Sequence, residues 1–335
     1  MRDGTPPVRT HVADGTGVIE LDRPAALNAL DLPMVQLITK ALAAWRADPA
    51  VRSVIIRSTS PKAFCSGGDI LAMRSAGLDG DDTAVHTYFS SEYALNALIA
   101  RYPKPYTALI DGYAMGGGLG ISVHGSARVV TERASLAMPE TAIGFFPDIG
   151  ASWFLPRLPG AVGWYLGLTG ARISGAAAVE CGLATHYVPA ADLPALEAAL
   201  LDPAAGTEPA AVLAEFAADA PVSELAAHRA AIARCFSAPD LAAVRDRLAA
   251  EIRDAATDGA RDWAAETLAV IDRASPHSLA ITFDLLASGA TKGLEECLAA
   301  ELSLARRTAR TPDFAEGVRA ALVDKDRRPV WAPVG

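Results

Sequence analysis

The chain has 335 residues, of which 51% are hydrophobic, and it carries a formal net charge of −9 at pH 7. This length and hydrophobic fraction favour a globular protein of one large or two modest domains over a disordered chain. The negative charge argues against nucleic acid as the main partner, although a local basic patch could still bind phosphates.

The cysteines and histidines show no pattern typical of a disulfide framework or a metal centre. Cys65, Cys181, Cys235 and Cys297 are scattered without CxxC spacing, and the six histidines form no HxH or HxxxH pair. We therefore expect reduced thiols, no metal site and a cytoplasmic location. No stretch is apolar enough for a signal peptide or a membrane-spanning helix, so no membrane partner is expected.

The first half of the chain alternates short apolar runs with glycine turns and helical patterns. A helix is predicted over Leu32–Trp45, with Asp31 as its N-cap and Pro33 in its first turn. Strands are predicted at Val18–Leu21, Val54–Arg57, Thr107–Asp111 and Arg128–Thr131.

Two glycine turns each follow a strand-like run and precede a helical pattern. The first contains Ser66, Gly67 and Gly68, and the second is the triplet Gly116–Gly118. Glycine permits close backbone approach, and backbone N–H groups at such turns bind a phosphate or the oxyanion of an acyl-transfer step. The alternative is that these glycines serve only tight packing or a flexible turn.

Two acids follow in proline-containing turns. Glu140 comes after Pro139, and Asp148 comes after Pro147. Acids in so apolar a segment suggest a buried reaction site. The alternatives are an acid that complements a helix dipole for Glu140 and a turn-stabilising aspartate for Asp148. Cys65 lies near the proposed site, but no histidine is suitably placed to activate it as a nucleophile.

The segment 189–221 is rich in alanine and proline and is the best candidate for a domain boundary. Beyond it, helical patterns dominate. Asp240 precedes one amphipathic helix, and residues from Leu294 to Ala305 space out along another. We therefore predict a core of residues 1–190 that holds the active site and a helical C-terminal region of residues 191–335.

Several motifs resemble those of the crotonase (enoyl-CoA hydratase/isomerase) superfamily. They are KAFCSGGDI at residues 62–70, IDGYAMGGGLG at 110–120 and AMPETAIGFFPDIGASWFLPRL at 137–158. Together with PETAIGFFPD, the C-terminal DFAEGVRAALVDKDRRPVW at 313–331 resembles the 3-hydroxyisobutyryl-CoA hydrolase branch more specifically.

The resemblance implies an α/β fold in which ββα units wind into a spiral, followed by a helical C-terminal region. It implies that the N–H groups of Ser66, beside Gly67, and of Gly117 bind the thioester oxygen. It further implies that Glu140 and Asp148 are catalytic and that Glu92 faces the substrate, although an acid on an amphipathic helix more often lies on a solvated face.

Hydratases of the superfamily carry a glutamate two residues after the glycine triplet, and this chain has Gly120 there. The departure favours thioester hydrolysis, with Glu140 acting either as general base or by direct attack. An enoyl-CoA hydratase or isomerase and a non-catalytic acyl-CoA-binding protein remain as alternatives. The expected substrate is an acyl-CoA, whose phosphates could pair with Lys62, Arg23 and Lys325; the alternative is that these three residues are only surface charge. No cofactor is expected beyond the coenzyme A of the substrate, and a homo-oligomer is possible.

Overall fold

The structure is a computed structural model that describes residues 6–202 and 208–333. Ten strands occur in the described residues: β1 (Val8–Ala13), β2 (Thr16–Leu21), β3 (Ser53–Ser58), β4 (Ala63–Cys65), β5 (Tyr106–Ile110), β6 (Tyr113–Met115), β7 (Ala127–Val130), β8 (Ser135–Ala137), β9 (Ile173–Ser174) and β10 (His186–Tyr187).

The α-helices of the described residues are α1 (Leu32–Arg46), α2 (Ile70–Leu78), α3 (Asp82–Ala100), α4 (Gly117–Gly120), α5 (Ala151–Phe154), α6 (Val162–Thr169), α7 (Gly175–Glu180), α8 (Leu193–Leu201), α9 (Pro209–Phe216), α10 (Arg229–Phe236), α11 (Leu241–Asp254), α12 (Asp258–Arg273), α13 (Pro276–Gly289), α14 (Leu294–Thr308) and α15 (Pro312–Val318). Short 3₁₀ turns span Pro24–Ala26, Glu140–Ile143, Leu155–Arg157 and Pro159–Ala161, and a π-helical turn spans Arg319–Val323.

A six-stranded sheet has the order β1-β2-β3-β5-β7-β10, in which only the β1–β2 pair is antiparallel. Its central strands are buried on both faces, which is why they appear in the sequence as continuous apolar runs. A second sheet has the order β4-β6-β8-β9. The predicted α/β class is confirmed, as is the predominance of helices after β10.

The predicted strands and the first helix are confirmed with small shifts at their ends. Asp31 caps α1 by accepting a hydrogen bond from the Met34 N–H at 2.9 Å. Asp240 caps α11 in the same way through the Ala243 N–H at 2.7 Å. Local capping chemistry therefore determines where these helices begin.

The segment 189–221 is built into the fold and does not behave as a free linker. It contains α8 and α9, whose Leu196, Leu200, Val212 and Leu213 pack with Val18, Ile55 and other buried residues of the six-stranded sheet. Pro203 and Gly206, which supported the prediction of a boundary, lie outside the described residues. The Ala- and Leu-rich composition here reflects helices that cover the sheet.

Contacts divide the chain into two compact units, and each draws on separate stretches of sequence. The first comprises residues 1–68, 91–136 and 173–223, and the second comprises residues 69–90, 137–172 and 224–335. Both sheets belong to the first unit, with only the last residue of β8 assigned to the second. The predicted boundary at residue 190 follows the change from mixed to helical sequence, so as a domain boundary it stays a prediction.

Candidate active site

The two glycine turns lie side by side in the first unit. Strands β4 and β6 are parallel neighbours, with Ala63 opposite Tyr113, so their carboxyl ends reach the same edge of the sheet. Gly67 follows β4 with φ +107°, a conformation that L side chains rarely adopt. A Cβ at Gly67 would lie 3.8 Å from the Gly117 nitrogen. The predicted meeting of the two turns is confirmed.

The assignment of Ser66 as an oxyanion donor is wrong. The Ser66 N–H donates to the Leu27 carbonyl at 3.0 Å and is therefore already engaged. The nitrogen of Gly68, two residues later, lies 3.2 Å from the position that a Cβ on Gly117 would take. The Gly68 nitrogen therefore lies next to Gly117, and the N–H groups of these two residues are the candidate oxyanion donors. The motif CSGGD contains both candidates, and only the bond to Leu27 distinguishes them.

Glu92 lies at the same place. It is on α3, is 2% exposed, and its Oε1 occupies the space beside Gly117, where a Cβ would meet it at less than contact distance. The expectation that an acid on this helix is solvated is therefore excluded. Gly117 must be glycine because the Glu92 carboxylate and the Gly68 nitrogen leave no room for a side chain.

Cys65 is not suited to be a nucleophile. It is completely buried, and the pKa of its thiol is raised to about 12, mainly by burial and in smaller part by the negative charge of Glu92. The thiol therefore stays protonated at neutral pH, whereas nucleophilic attack requires the thiolate. This agrees with the absence of an activating histidine in the sequence pattern.

Glu140 belongs to the second unit and opens the 3₁₀ turn Glu140–Ile143 directly after Pro139, as the sequence predicts. It is 7% exposed. The turn is held from two sides, because the Thr141 hydroxyl donates to the Leu168 carbonyl at 3.3 Å and the Thr141 carbonyl accepts from the Ser275 N–H at 3.3 Å. These bonds fix the backbone that carries Glu140.

Asp148 also belongs to the second unit and is 6% exposed. It begins a tight turn in which its carbonyl accepts from the Ala151 N–H at 2.8 Å. Ile149 and Gly150, the central residues, have φ values of +56° and +84°. The predicted turn is confirmed, but the carboxylate that holds it comes from far along the chain. The Gly150 N–H donates to Glu301 of α14 at 2.7 Å, a contact that sequence reasoning missed.

The three predicted phosphate-binding cations differ in their surroundings. Arg23 donates to the Ala29 carbonyl at 2.8 Å and lies 3.7 Å from Asp31, so its guanidinium also supports the loop before α1. Lys62 and Lys325 are exposed. Arg23 and Lys62 belong to the first unit, and Lys325 belongs to the second.

The first unit thus brings together Gly67, Gly68, Gly117 and Glu92, and the second unit carries Glu140 and Asp148. Backbone N–H groups gathered at one point can bind a developing oxyanion, and buried carboxylates can accept or deliver protons.

Comparisons with known proteins identify relatives over nearly the whole chain. The pattern that describes the enoyl-CoA hydratase/isomerase family matches residues 16–334. The mitochondrial 3-hydroxyisobutyryl-CoA hydrolase of Xenopus tropicalis is 44% identical over 324 residues, which cover 95% of this chain and 82% of that protein.

Two solved structures are similar throughout. A carnitinyl-CoA dehydratase from Mycobacterium thermoresistibile superposes with a TM-score of 0.89 at 36% identity and covers 98% of this chain and 92% of its own. An enoyl-CoA hydratase from Rhodobacter sphaeroides 2.4.1 has a TM-score of 0.87 at 40% identity, with the same coverage of 98% and 92%.

Proposed function

Since the chain belongs to the enoyl-CoA hydratase/isomerase family, we propose that it hydrolyses the thioester of 3-hydroxyisobutyryl-CoA or a close 3-hydroxyacyl-CoA. The products are the free hydroxy acid and coenzyme A, a step of valine breakdown. The observation that carries this proposal is the 44% identity, over 95% of this chain, with a relative named for that activity. Gly120, at the position of a hydratase glutamate, supports the same choice.

The N–H groups of Gly68 and Gly117 bind the thioester carbonyl oxygen and stabilise the negative charge that develops on it when a nucleophile adds to the carbon. Such donors are effective because they are fixed before the reaction and lie where water is excluded. Glu92 lies beside the same space and exchanges protons with the bound acyl group. Gly67 supplies the turn that aims the Gly68 N–H.

Glu140 accepts a proton from water as the water oxygen adds to the thioester carbon, or its carboxylate adds first and forms a mixed anhydride that water then opens. In both routes the C–S bond breaks and the departing thiolate takes up a proton. Asp148 binds the 3-hydroxyl group of the substrate. A single turnover in H₂¹⁸O detects the anhydride route if water attacks the enzyme carbonyl, because that attack leaves the label in Glu140 and gives unlabelled product.

Lys62, Arg23 and Lys325 bind the phosphates of coenzyme A, and the reaction needs no other cofactor. The four cysteines are free and buried, which fits a reducing compartment such as the cytoplasm. The Xenopus relative, in contrast, is named as mitochondrial. Fractionation of cells tests the location. The mass of the protein in solution tests whether it forms a homo-oligomer. Among the described residues, no helix is long and apolar enough to cross a membrane.

The second candidate is hydration of an enoyl-CoA, which the names of the two structural neighbours favour. A parallel assay decides between the two: thiol release from 3-hydroxyisobutyryl-CoA detected with a disulfide dye, and loss of enoyl absorbance from crotonyl-CoA. Faster hydration than hydrolysis would overturn the proposal. Coenzyme A binding with neither reaction would indicate a non-catalytic acyl-CoA-binding protein.

A further inference from the structure

We propose that Glu301 is a positioning residue that holds Asp148 in the geometry needed to bind the substrate hydroxyl. The proposal rests on the role given to Asp148 above. Glu301 lies on α14, more than 150 residues after Asp148, and both belong to the second unit.

The Glu301 carboxyl group is completely buried and accepts three hydrogen bonds from the segment that follows Asp148. Its Oε2 accepts from the Gly150 N–H at 2.7 Å, and its Oε1 accepts from the Ser152 N–H at 3.0 Å and the Ser152 hydroxyl at 2.5 Å. One carboxyl group therefore holds the backbone at both Gly150 and Ser152, directly after Asp148.

The turn needs such an external hold because its own conformation is unfavourable. Ile149 has φ +56°, and a β-branched residue in the left-handed region is a genuine outlier that persists only where surrounding contacts impose it. Ile149 is also 1% exposed, so burial of its side chain and the bonds to Glu301 act together. Without Glu301, the turn can relax toward ordinary backbone angles and carry Asp148 with it.

The electrostatics connect the two acids directly. The pKa of Glu301 is raised to about 8; burial is the largest cause, the negative charge of Asp148 contributes to the rise, and the bonds from Ser152 and Gly150 oppose it. The two carboxyl groups are therefore close enough for the charge of one to affect the other.

The main test compares Glu301→Gln with the parent on 3-hydroxyisobutyryl-CoA and on its deoxy analogue isobutyryl-CoA. Glutamine keeps the shape but can accept at only one of its two positions. We expect kcat/KM for the hydroxy substrate to fall about 10- to 100-fold, in line with displacement of a binding group by about 1 Å, while the deoxy analogue changes much less. Asp148→Asn should show the same selectivity.

The double variant Glu301→Gln/Asp148→Asn shows whether Glu301 acts through Asp148. If it does, Glu301→Gln adds almost no further loss once Asp148 is replaced. Full additivity, or equal losses on both substrates in the single variant, would overturn the proposal. Ser152→Ala provides a milder second variant, with a smaller loss of the same selectivity, in case Glu301→Gln does not fold.

Leu298→Ala is the matched control, because Leu298 is a buried residue of the same helix whose side chain has no polar atom to bond the turn. It should lower thermal stability without changing the ratio of the two substrates. Hydrogen exchange gives a readout that needs no substrate: the Gly150 and Ser152 amides should exchange faster in Glu301→Gln than in Leu298→Ala. If the parent hydrolyses neither substrate, the proposed function fails, and unchanged exchange would separately refute the hold on the turn.

Discussion

Replacing Gly117 by alanine should disable the proposed oxyanion site while leaving the rest of the fold in place. The new Cβ would lie 3.2 Å from the Gly68 nitrogen, which is tighter than most real contacts, and well inside contact distance of Glu92 Oε1. To restore ordinary contact, the Glu92 oxygen must move by about 1 Å. The methyl group would also fill part of the space proposed to bind the thioester oxygen.

The magnitude follows from these two effects. Loss of one oxyanion donor typically lowers kcat by about 10²–10³, or roughly 2.7–4 kcal/mol of transition-state stabilisation. Inserting a methyl group into a packed site costs about 1–3 kcal/mol of folding stability. We therefore expect Gly117→Ala to retain native circular dichroism with a lowered Tm, and to release thiol from 3-hydroxyisobutyryl-CoA at least about 100-fold more slowly.

Gly259→Ala is the matched control, since Gly259 lies on α12 with a helical backbone and no atom within 4 Å of the new Cβ. It should leave kcat unchanged and increase stability by about 0.5–1 kcal/mol. In addition, Glu92→Ala in the Gly117→Ala background should recover part of the lost stability, because it removes the atom that the methyl group meets. Near-parental turnover by Gly117→Ala would refute the assignment of this space to the thioester oxygen.

Three further predictions concern the other groups. Glu140→Gln should lower kcat by about 10²–10⁴ with little change in coenzyme A affinity, as measured by thiol release and by calorimetry; near-parental turnover would exclude Glu140 as base or nucleophile. Cys65→Ala should retain kcat within about threefold. In the parent, iodoacetamide at neutral pH should not alkylate Cys65, as checked by mass spectrometry, because the thiol pKa of about 12 leaves almost no thiolate. The pKa of Glu301 rises from 4.5 to about 8 on folding, so the folded state keeps a proton that the unfolded state loses. Its contribution to the free energy of unfolding should therefore fall between about pH 4.5 and pH 8, by about 1.4 kcal/mol per pH unit, and level off above; urea unfolding should show this slope as the difference in unfolding free energy between the parent and Glu301→Gln.

Local sequence features predicted the parts of the fold that depend on local chemistry. Asp31 and Asp240 mark the starts of two helices because a cap needs only a side-chain oxygen beside the first turn. The glycine turns were recognised for a similar reason, since positive φ at Gly67 and close approach at Gly117 both exclude a side chain. Resemblance then assigned a function to these turns that spacing alone left open.

The features that the sequence did not reveal depend on contacts between distant segments. The Ser66 N–H is engaged by Leu27, which lies 39 residues earlier, and nothing in the motif CSGGD indicates that bond. The segment 189–221 has the composition of a linker, yet Leu196, Leu200 and Val212 pack on the sheet. Composition measures what a segment is made of, whereas burial depends on which surface it meets.

Both acids proposed for catalysis lie on short, irregular backbone. Each of the two turns accepts a hydrogen bond from, or donates one to, a residue in the C-terminal half of the chain. The turn of Glu140 is bonded by Ser275, and the turn of Asp148 is bonded by Glu301. Irregular turns contribute few backbone bonds of their own, so their geometry must come from the elements packed against them. The helical C-terminal region therefore helps to fix the backbone that carries Glu140 and Asp148. Its helices supply partners for the two turns that carry the buried acids, and substitution of Glu301 should therefore affect turnover even though this residue is not assigned to the substrate.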